Sequence, residues 1–263
     1  MSALILIRGG GDLASGVALR LYRAGLKVLI SELPQPLAVR RTVSFGEAVY
    51  AGQVAVEGVT ARLVKRGQVT AALDAGEIPV LVDPQASILT ELDFSVVIDG
   101  RLTKHPPEPL PVPVPLHIGL GPGFHAGRNC QAVIETRRSH TLGRVYWEGT
   151  AQSDSGQPEG DPRRVLRAPA EGVLTSQVQI GEHVEAGQVV AEVAGTPIVA
   201  AFPGVLRGLI HPGLHVTKGL KVGDVDLRDD PSMCHLVSDK ALAIGGGVLE
   251  ALLARPEIRS SLW

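Results

Sequence analysis

The chain of 263 residues has few of the features that define several large classes of protein. It has two cysteines, Cys130 and Cys234, which are too few for a disulfide framework and are typical of a reducing compartment. Aromatic residues make up 3% and the formal net charge is −2, so no basic surface predicts nucleic-acid binding. No apolar run approaches the ~20 residues of a membrane span. Residues 1–12 contain no signal-peptide core, and we therefore expect a cytoplasmic protein with no membrane partner.

Glycine (31 residues) and proline (19) are abundant, so turns and closely packed small residues should occupy much of the chain. The helical spacing of apolar residues in 13–25 predicts a helix that ends at Gly25. Apolar runs predict short buried strands at 3–8, 27–32, 78–83 and 94–100. This alternation is typical of an α/β domain with a parallel sheet, and it predicts a Rossmann-like N-terminal domain over residues 1–150.

Six prolines between residues 106 and 115 predict an extended connector within this domain, because no central strand tolerates them. A polar segment rich in glycine, serine and proline, residues 151–163, predicts a linker. Residues 231–263 are expected to contain a C-terminal helix. Its glycines should make it depend on packing, and we expect it to pack on the α/β domain.

The region between linker and tail contains an internal repeat with a period of 32 residues. Residues 172–193 align without gaps on residues 204–225, and nine of the 22 positions are identical. Two quasi-symmetric halves with glycine turns predict a small β barrel-sandwich hybrid, similar to biotinyl and lipoyl carriers, over residues 164–230. The chain has no lysine from 105 to 217, so we expect neither biotin nor lipoate on it.

The stretch GGGDLASG lies between the first predicted strand and the first helix. Gly9, Gly11 and Ala14 match the dinucleotide fingerprint G-x-G-x-x-A, and Glu32 ends the second predicted strand, where it could accept a hydrogen bond from a ribose. A tight turn without a ligand is the alternative, because a carboxylate at Asp12 repels phosphate unless it caps the helix. The candidate cofactor-binding residues here are Gly9, Gly10, Gly11, Asp12, Ser15, Gly16 and Glu32.

Further candidates follow later strands. Gly119, Gly121 and Gly123 form a second glycine-rich loop, which predicts either an anion-binding concavity or an ordinary loop. Asp99 and Lys104 follow a strand at the carboxyl edge, where open α/β sheets bind ligands, although a solvated loop explains them equally well. Cys130 is a candidate nucleophile or soft ligand, with a buried structural thiol as the alternative. No metal site is predicted.

Taken in order, five features resemble the YqeB-type selenium-dependent molybdenum hydroxylase system proteins. They are RGGGDLASGVA, IGLGPGFHAG, AVIETRRSHTLGRV, the lysine-free repeat and SDKALAIGGGVLEALL. The resemblance implies a maturation factor for molybdenum hydroxylases, with an N-terminal domain similar to that of xanthine dehydrogenase accessory factors. It also implies NAD(P) or molybdenum cofactor at the glycine turn, and a hydroxylase client or another maturation protein as partner. Homo-oligomerisation stays open.

A small NAD(P)-dependent oxidoreductase with an appended β domain is the alternative function. No recognisable catalytic pair follows the fingerprint, which weighs against this alternative. The residues leave open whether the chain is an enzyme.

Overall fold

The computed structural model describes residues 4–153, 156 and 160–262, and its contacts divide them into two units. The sheet unit comprises the described residues of Met1–Pro36, Ser44–Ser155 and Val237–Trp263. The repeat unit comprises those of Leu37–Val43 and Gly156–Leu236. Part of the predicted linker, residues 154, 155 and 157–159, lies outside the described residues, as does residue 3 of the first predicted strand.

The sheet unit is built on a nine-stranded mixed sheet with the strand order β3-β4-β5-β2-β1-β6-β7-β8-β9. Neighbours from β4 to β8 are parallel, whereas β3 and β9 are antiparallel edge strands. The central strands are buried along almost their whole length, as expected for apolar runs covered on both faces. In chain order the strands are β1 (Leu4–Arg8), β2 (Lys27–Glu32), β3 (Gln53–Val56), β4 (Val59–Leu63), β5 (Ile78–Val82), β6 (Val96–Asp99), β7 (Leu116–Leu120), β8 (Ala132–Ile134) and β9 (Val145–Tyr146).

Two of the helices in the sheet unit are long and pack on each other. A Cβ added at Gly16 of the first would lie 2.5 Å from Cβ of Ala241 in the second, and one added at Gly245 would lie 3.2 Å from the Gly16 carbonyl oxygen. Small residues at the crossing therefore let the two backbones approach. The helices are α1 (Asp12–Arg23), α2 (Ala48–Ala51), α3 (Val69–Asp74), α4 (Asp239–Leu253) and α5 (Pro256–Arg259).

Residues 106–115, which we call the proline strap, join β6 to the parallel strand β7 without forming a helix or a strand. Leu110, Val112 and Val114 alternate along the strap and pack against the core cluster that contains Leu6 and Val97. The strap thus covers one face of the sheet with an extended segment, where a parallel crossover usually has a helix.

The repeat unit consists of two four-stranded antiparallel sheets, with orders β10-β17-β15-β12 and β14-β13-β11-β16. The first copy of the repeat contains β11, β12 and β13, and the second contains β15, β16 and β17. Each copy donates its middle strand to the other copy's sheet, because β12 pairs with β15 and β16 with β11. The strands are β10 (Val165–Arg167), β11 (Gly172–Thr175), β12 (His183–Val184), β13 (Val189–Val193), β14 (Thr196–Val199), β15 (Gly204–Leu209), β16 (His215–Val216) and β17 (Lys221–Asp226).

The fold class predicted from the sequence is wrong. A Rossmann-like domain followed by a barrel-sandwich hybrid is replaced by a mixed sheet with antiparallel edges and by two separate antiparallel sheets. The β–α alternation holds locally around α1, but the β3–β4 hairpin and the proline strap interrupt it. The prolines predicted the strap as an extended connector, whereas periodicity alone does not place the hairpin. Among the described residues, no helix is long and apolar enough to span a bilayer.

Candidate functional site

The acidic residue of the predicted fingerprint closes the glycine turn from within. Glu32 is 8% exposed, and its carboxylate accepts hydrogen bonds from Gly10 N at 2.5 Å and Leu33 N at 2.7 Å. Burial raises the pKa of Glu32 and outweighs these two bonds, which act to lower it. Both carboxylate oxygens therefore accept a hydrogen bond from the backbone and hold the turn closed, and each oxygen keeps a lone pair that could accept a further bond.

Ser15 is engaged in the same way. Its hydroxyl donates to Gly10 O at 3.0 Å and accepts from Phe45 N at 2.7 Å. A Cβ at Gly10 would lie 2.6 Å from the backbone nitrogen of Gly46, so the segment at Ser44–Glu47 lies directly on the turn. Glycine is required at position 10 by this close approach, which involves backbone and not a ligand.

The remaining residues of the turn differ in their surroundings. Gly9 has a φ of +89°, which favours glycine whatever the turn binds. An added Cβ at Gly11 would meet no atom within 4 Å, whereas Gly16 lies at the crossing with α4. The Asp12 carboxylate accepts from Leu13 N at 2.9 Å, within the first helical turn. Nucleotide or molybdenum-cofactor binding at this turn stays a prediction that nothing in the structure tests.

The second glycine-rich loop has packing functions at each of its three glycines. Phe124 lies directly over Gly119, and the Thr103 backbone and hydroxyl lie against Gly123. Gly121 has a φ of +86° and lies near the Thr136 side chain. Anion binding by this loop likewise stays a prediction.

A network of ion pairs lies at the carboxyl ends of β1 and β6, and it is buried at Arg8 and Asp99 and exposed at Glu108. Arg8 (2% exposed) and Asp99 (fully buried) are neighbours in the sheet register and are joined by a 3.3 Å contact between Nη1 and Oδ2. Arg101 donates to the same Asp99 oxygen at 2.7 Å. Glu108 accepts from Arg8 at 2.9 Å and from Arg101 at 2.7 Å, which completes a network of two cations and two anions.

Glu108 belongs to the proline strap, so the network ties the strap to the sheet. Burial acts to raise the pKa of Glu108, but the hydrogen bonds from Arg101 and Arg8 prevail and lower it to about 2. The sequence predicted Asp99 as a candidate and missed Arg8 and Glu108. No local signal marks these two, because Arg8 ends an apolar strand and Glu108 lies among prolines.

Beside this network, along the strap, is a cavity of about 740 Å³. Its walls are most of the strap from Pro107 to Val114, His117 of β7, the loop at residues 127–131, Trp147 and Arg255. All of these residues belong to the sheet unit. Pockets of this size and mixed apolar and polar lining are typical of sites for small molecules.

His117 is the most unusual side chain in the cavity wall. It is 7% exposed, and its Nε2 has no hydrogen-bond partner among the described residues. The ring makes an edge contact with Phe124, at 5.9 Å between centroids. Burial lowers the pKa of His117 to about 4, although the nearby carboxylate of Asp99 opposes the shift. The imidazole is therefore neutral at physiological pH, with one nitrogen able to accept and one able to donate.

Cys130 also lines the cavity, and burial raises the pKa of its thiol to about 11. It is therefore protonated at neutral pH, so its environment does not favour the nucleophile predicted as one alternative. Lys104 is exposed and is not part of the cavity wall. Within the described residues, no group of three or more histidine, cysteine, aspartate or glutamate side chains could hold a metal ion.

Comparisons with known proteins give one clear relative. No family model matches the chain. It is 48% identical over 255 residues to a protein of Escherichia coli (strain K12) named "Uncharacterized protein YqeB". The alignment covers 95% of this chain and 47% of the relative, so the chain spans about half the length of the curated relative it matches. The resemblance to YqeB is thereby confirmed, but that name does not confirm a role in selenium-dependent molybdenum hydroxylase maturation.

Solved structures give weaker similarity. An aspartoacylase family protein from Mesorhizobium loti is 11% identical with a TM-score of 0.27, covering 85% of this chain and 84% of its own. The ectoine utilization protein EutE (DoeB) from Ruegeria pomeroyi is 14% identical with a TM-score of 0.28, covering 85% of each chain. A succinylglutamate desuccinylase/aspartoacylase from Rhodobacter sphaeroides is 13% identical with a TM-score of 0.26, again covering 85% of each.

The architecture of the sheet unit corrects the function predicted from the sequence. The predictions of a molybdenum hydroxylase maturation factor and of an NAD(P)-dependent oxidoreductase are both wrong as stated. Both predictions included a Rossmann-like domain with a ligand at its glycine turn, whereas the sheet is mixed and has an antiparallel strand at each edge. TM-scores this low do not transfer the neighbours' activities to this chain.

Proposed function

We propose that the sheet unit binds a small organic molecule in the cavity lined by the proline strap. The observation that supports this proposal best is the unpartnered Nε2 of buried His117 in the wall of that cavity. An unsatisfied buried polar atom costs about 1–3 kcal/mol, so native proteins retain one where a ligand or a water pairs with it. A ligand hydrogen-bonded to the neutral imidazole would remove this cost.

The chemistry around the cavity supports binding more than catalysis through a cysteine nucleophile. The Cys130 thiol is protonated, and the carboxylates of Asp99 and Glu108 are held in ion pairs. The ion pairs fix the strap at one end of the cavity, while Leu110, Val112 and Val114 fix it along the sheet. The site is therefore a preformed pocket with a rigid wall, which reduces the entropy lost on binding.

The fluorescence of Trp147 reports directly on this cavity. The chain has two tryptophans, Trp147 and Trp263, so Trp263→Phe leaves Trp147 as the sole emitter. In this background we would titrate benzoate, phenyl phosphate, benzamide and phenol, and measure Trp147 emission and the melting temperature. At least one of these probes should change both readouts in a saturable way.

A matched pair of substitutions on the strap locates the binding. Pro113 lines the cavity, whereas Pro111, two residues earlier and also exposed, does not. Pro113→Phe should reduce the affinity for the probe by about tenfold or more, equivalent to about 1.4 kcal/mol. Pro111→Phe should leave this affinity unchanged. The proposal is wrong if no probe binds, or if both substitutions affect binding equally.

A further inference from the structure

The charged side chains that line the cavity are not all held in ion pairs, whereas those of the network at the ends of β1 and β6 are. Glu108 is the acidic residue in the cavity wall, and its carboxylate already pairs with Arg8 and Arg101. Two further arginines, Arg128 and Arg255, line the cavity, and neither forms an ion pair with the residues that the structure describes. The cavity therefore has an excess of positive charge.

The two arginines differ in how they are held. The guanidinium of Arg255 lies 4.5 Å from the centroid of the Trp147 ring, a cation–π contact that orients it without neutralising it. Arg128 is exposed at the loop between Gly127 and Cys130. Guanidinium groups bind carboxylates and phosphates through paired N–H donors, so both are suited to an anionic group at the cavity.

Another part of the wall is apolar. Pro109, Leu110, Val112 and Pro113 of the strap, together with the Trp147 ring, form a surface without charge. A ligand that is complementary both to the two arginines and to this apolar surface has an apolar body and one anionic end.

We infer that the ligand of this cavity is an amphipathic organic anion, whose carboxylate or phosphate is bound by Arg128 and Arg255 while its apolar part lies against the strap. This inference rests on the proposed function, because it specifies the chemical class of the molecule bound at the same site. Both candidate headgroups are oxyanions, planar in a carboxylate and tetrahedral in a phosphate. Separate carboxylate and phosphate probes distinguish between them.

The test compares anionic probes with neutral matches of similar shape. Benzoate is compared with benzamide, and phenyl phosphate with phenol, by calorimetry on the full chain. At least one anion should bind about tenfold tighter than its neutral match, and added salt should reduce that preference. The double variant Arg128→Gln/Arg255→Gln should abolish the preference and leave the affinity for the neutral probes unchanged. Preference for only one of the anions identifies the headgroup.

Lys27→Gln provides the matched control. It removes one positive charge from an exposed lysine at the start of β2, outside the cavity wall, and should leave the preference for anions intact. Equal binding of anionic and neutral probes, with loss on Pro113→Phe, would overturn the inference and leave the proposed function standing. Absence of binding by all four probes would overturn both.

Discussion

His117 combines three properties that are rarely found together at one residue. It belongs to a central strand, it is neutral because burial lowers the pKa, and one of its ring nitrogens has no partner among the described residues. A buried aliphatic residue would fill the same position in the strand at less cost. The imidazole of His117 is therefore stronger evidence for a binding site than the glycines of the predicted fingerprint are.

Replacing His117 by glutamine should make stability less sensitive to acid. The pKa is about 4 in the folded protein and 6.5 as the ordinary value, so between these values the unfolded chain binds more protons than the folded one. Stability therefore rises with pH in this window, and the contribution present above pH 6.5 is lost as the pH falls through 4. The shift corresponds to about 3 kcal/mol at most.

Urea unfolding at pH 7 and pH 4.5 measures this effect. Between pH 7 and pH 4.5 the free energy of unfolding should fall further in the wild type than in His117→Gln. Above pH 7 the free energies of unfolding of the two proteins should change with pH in parallel. Equal losses in both proteins would mean that His117 titrates normally and is not buried as described.

At the scale of the element, the three consecutive glycines of α4 have different surroundings. A Cβ added at Gly247 would overlap the carbonyl oxygen of Gly143, and one at Gly245 would approach Gly16 of α1. A Cβ at Gly246 would meet no atom within 4 Å. Two of the glycines therefore allow close packing, and the third has no packing reason to be glycine.

This difference predicts opposite effects from the same substitution. Gly246→Ala should raise the free energy of unfolding by about 0.5–1 kcal/mol, because alanine loses less backbone entropy in a helix. Gly247→Ala should lower it by about 1–3 kcal/mol, because the methyl group displaces the Gly143 backbone. Both are measured by urea denaturation, and the neighbouring positions act as each other's control. Changes of the same sign would contradict the packing of α4.

At the scale of the whole molecule, each unit contains its own ion network around a buried aspartate, Asp99 in the sheet unit and Asp224 in the repeat unit. In the repeat unit, Asp224 is 1% exposed and accepts from Arg207 at 2.7 Å and Lys221 at 3.1 Å, with Arg164 in close contact. The Asp224 carboxylate thus contacts a cationic side chain from β15, one from β17 and one from the residue directly before β10. Removing one partner of a buried ion network leaves uncompensated charge, which typically costs about 3–5 kcal/mol.

Asp224→Asn should therefore destabilise the repeat unit selectively. Hydrogen exchange followed by mass spectrometry should show faster exchange in β10, β15 and β17 than in the wild type. Asp229→Asn, which removes an exposed carboxylate paired with His183, should change exchange very little. If Asp224→Asn accelerates exchange equally in β1, β2 and β6, the two units unfold together and the expectation fails.

Some features of the protein follow from the sequence by itself because they depend on neighbouring residues. The apolar run before Gly9 forms β1, helical spacing forms α1, and Ser238 caps α4 by accepting from Ala241 N at 3.2 Å. Backbone preference acts locally, so periodicity and glycine placement are sufficient to predict these elements. The repeat is likewise visible in the sequence, and its paired turn glycines at 181 and 213 both adopt positive φ.

Other features were decided by the tertiary structure, because they depend on residues far apart in the chain. The exchange of middle strands between the two repeat copies needs pairing across 20 to 44 residues, which no local pattern encodes. Arg8 and Glu108, 100 positions apart, meet because the strap crosses the sheet, and that crossing also creates the cavity. Glu32 matches a ribose-binding acid in spacing, and only the fold shows that it is buried and accepts hydrogen bonds from two backbone donors. Burial and long-range contact assign charged side chains their partners, and a sequence shows neither until the chain is folded.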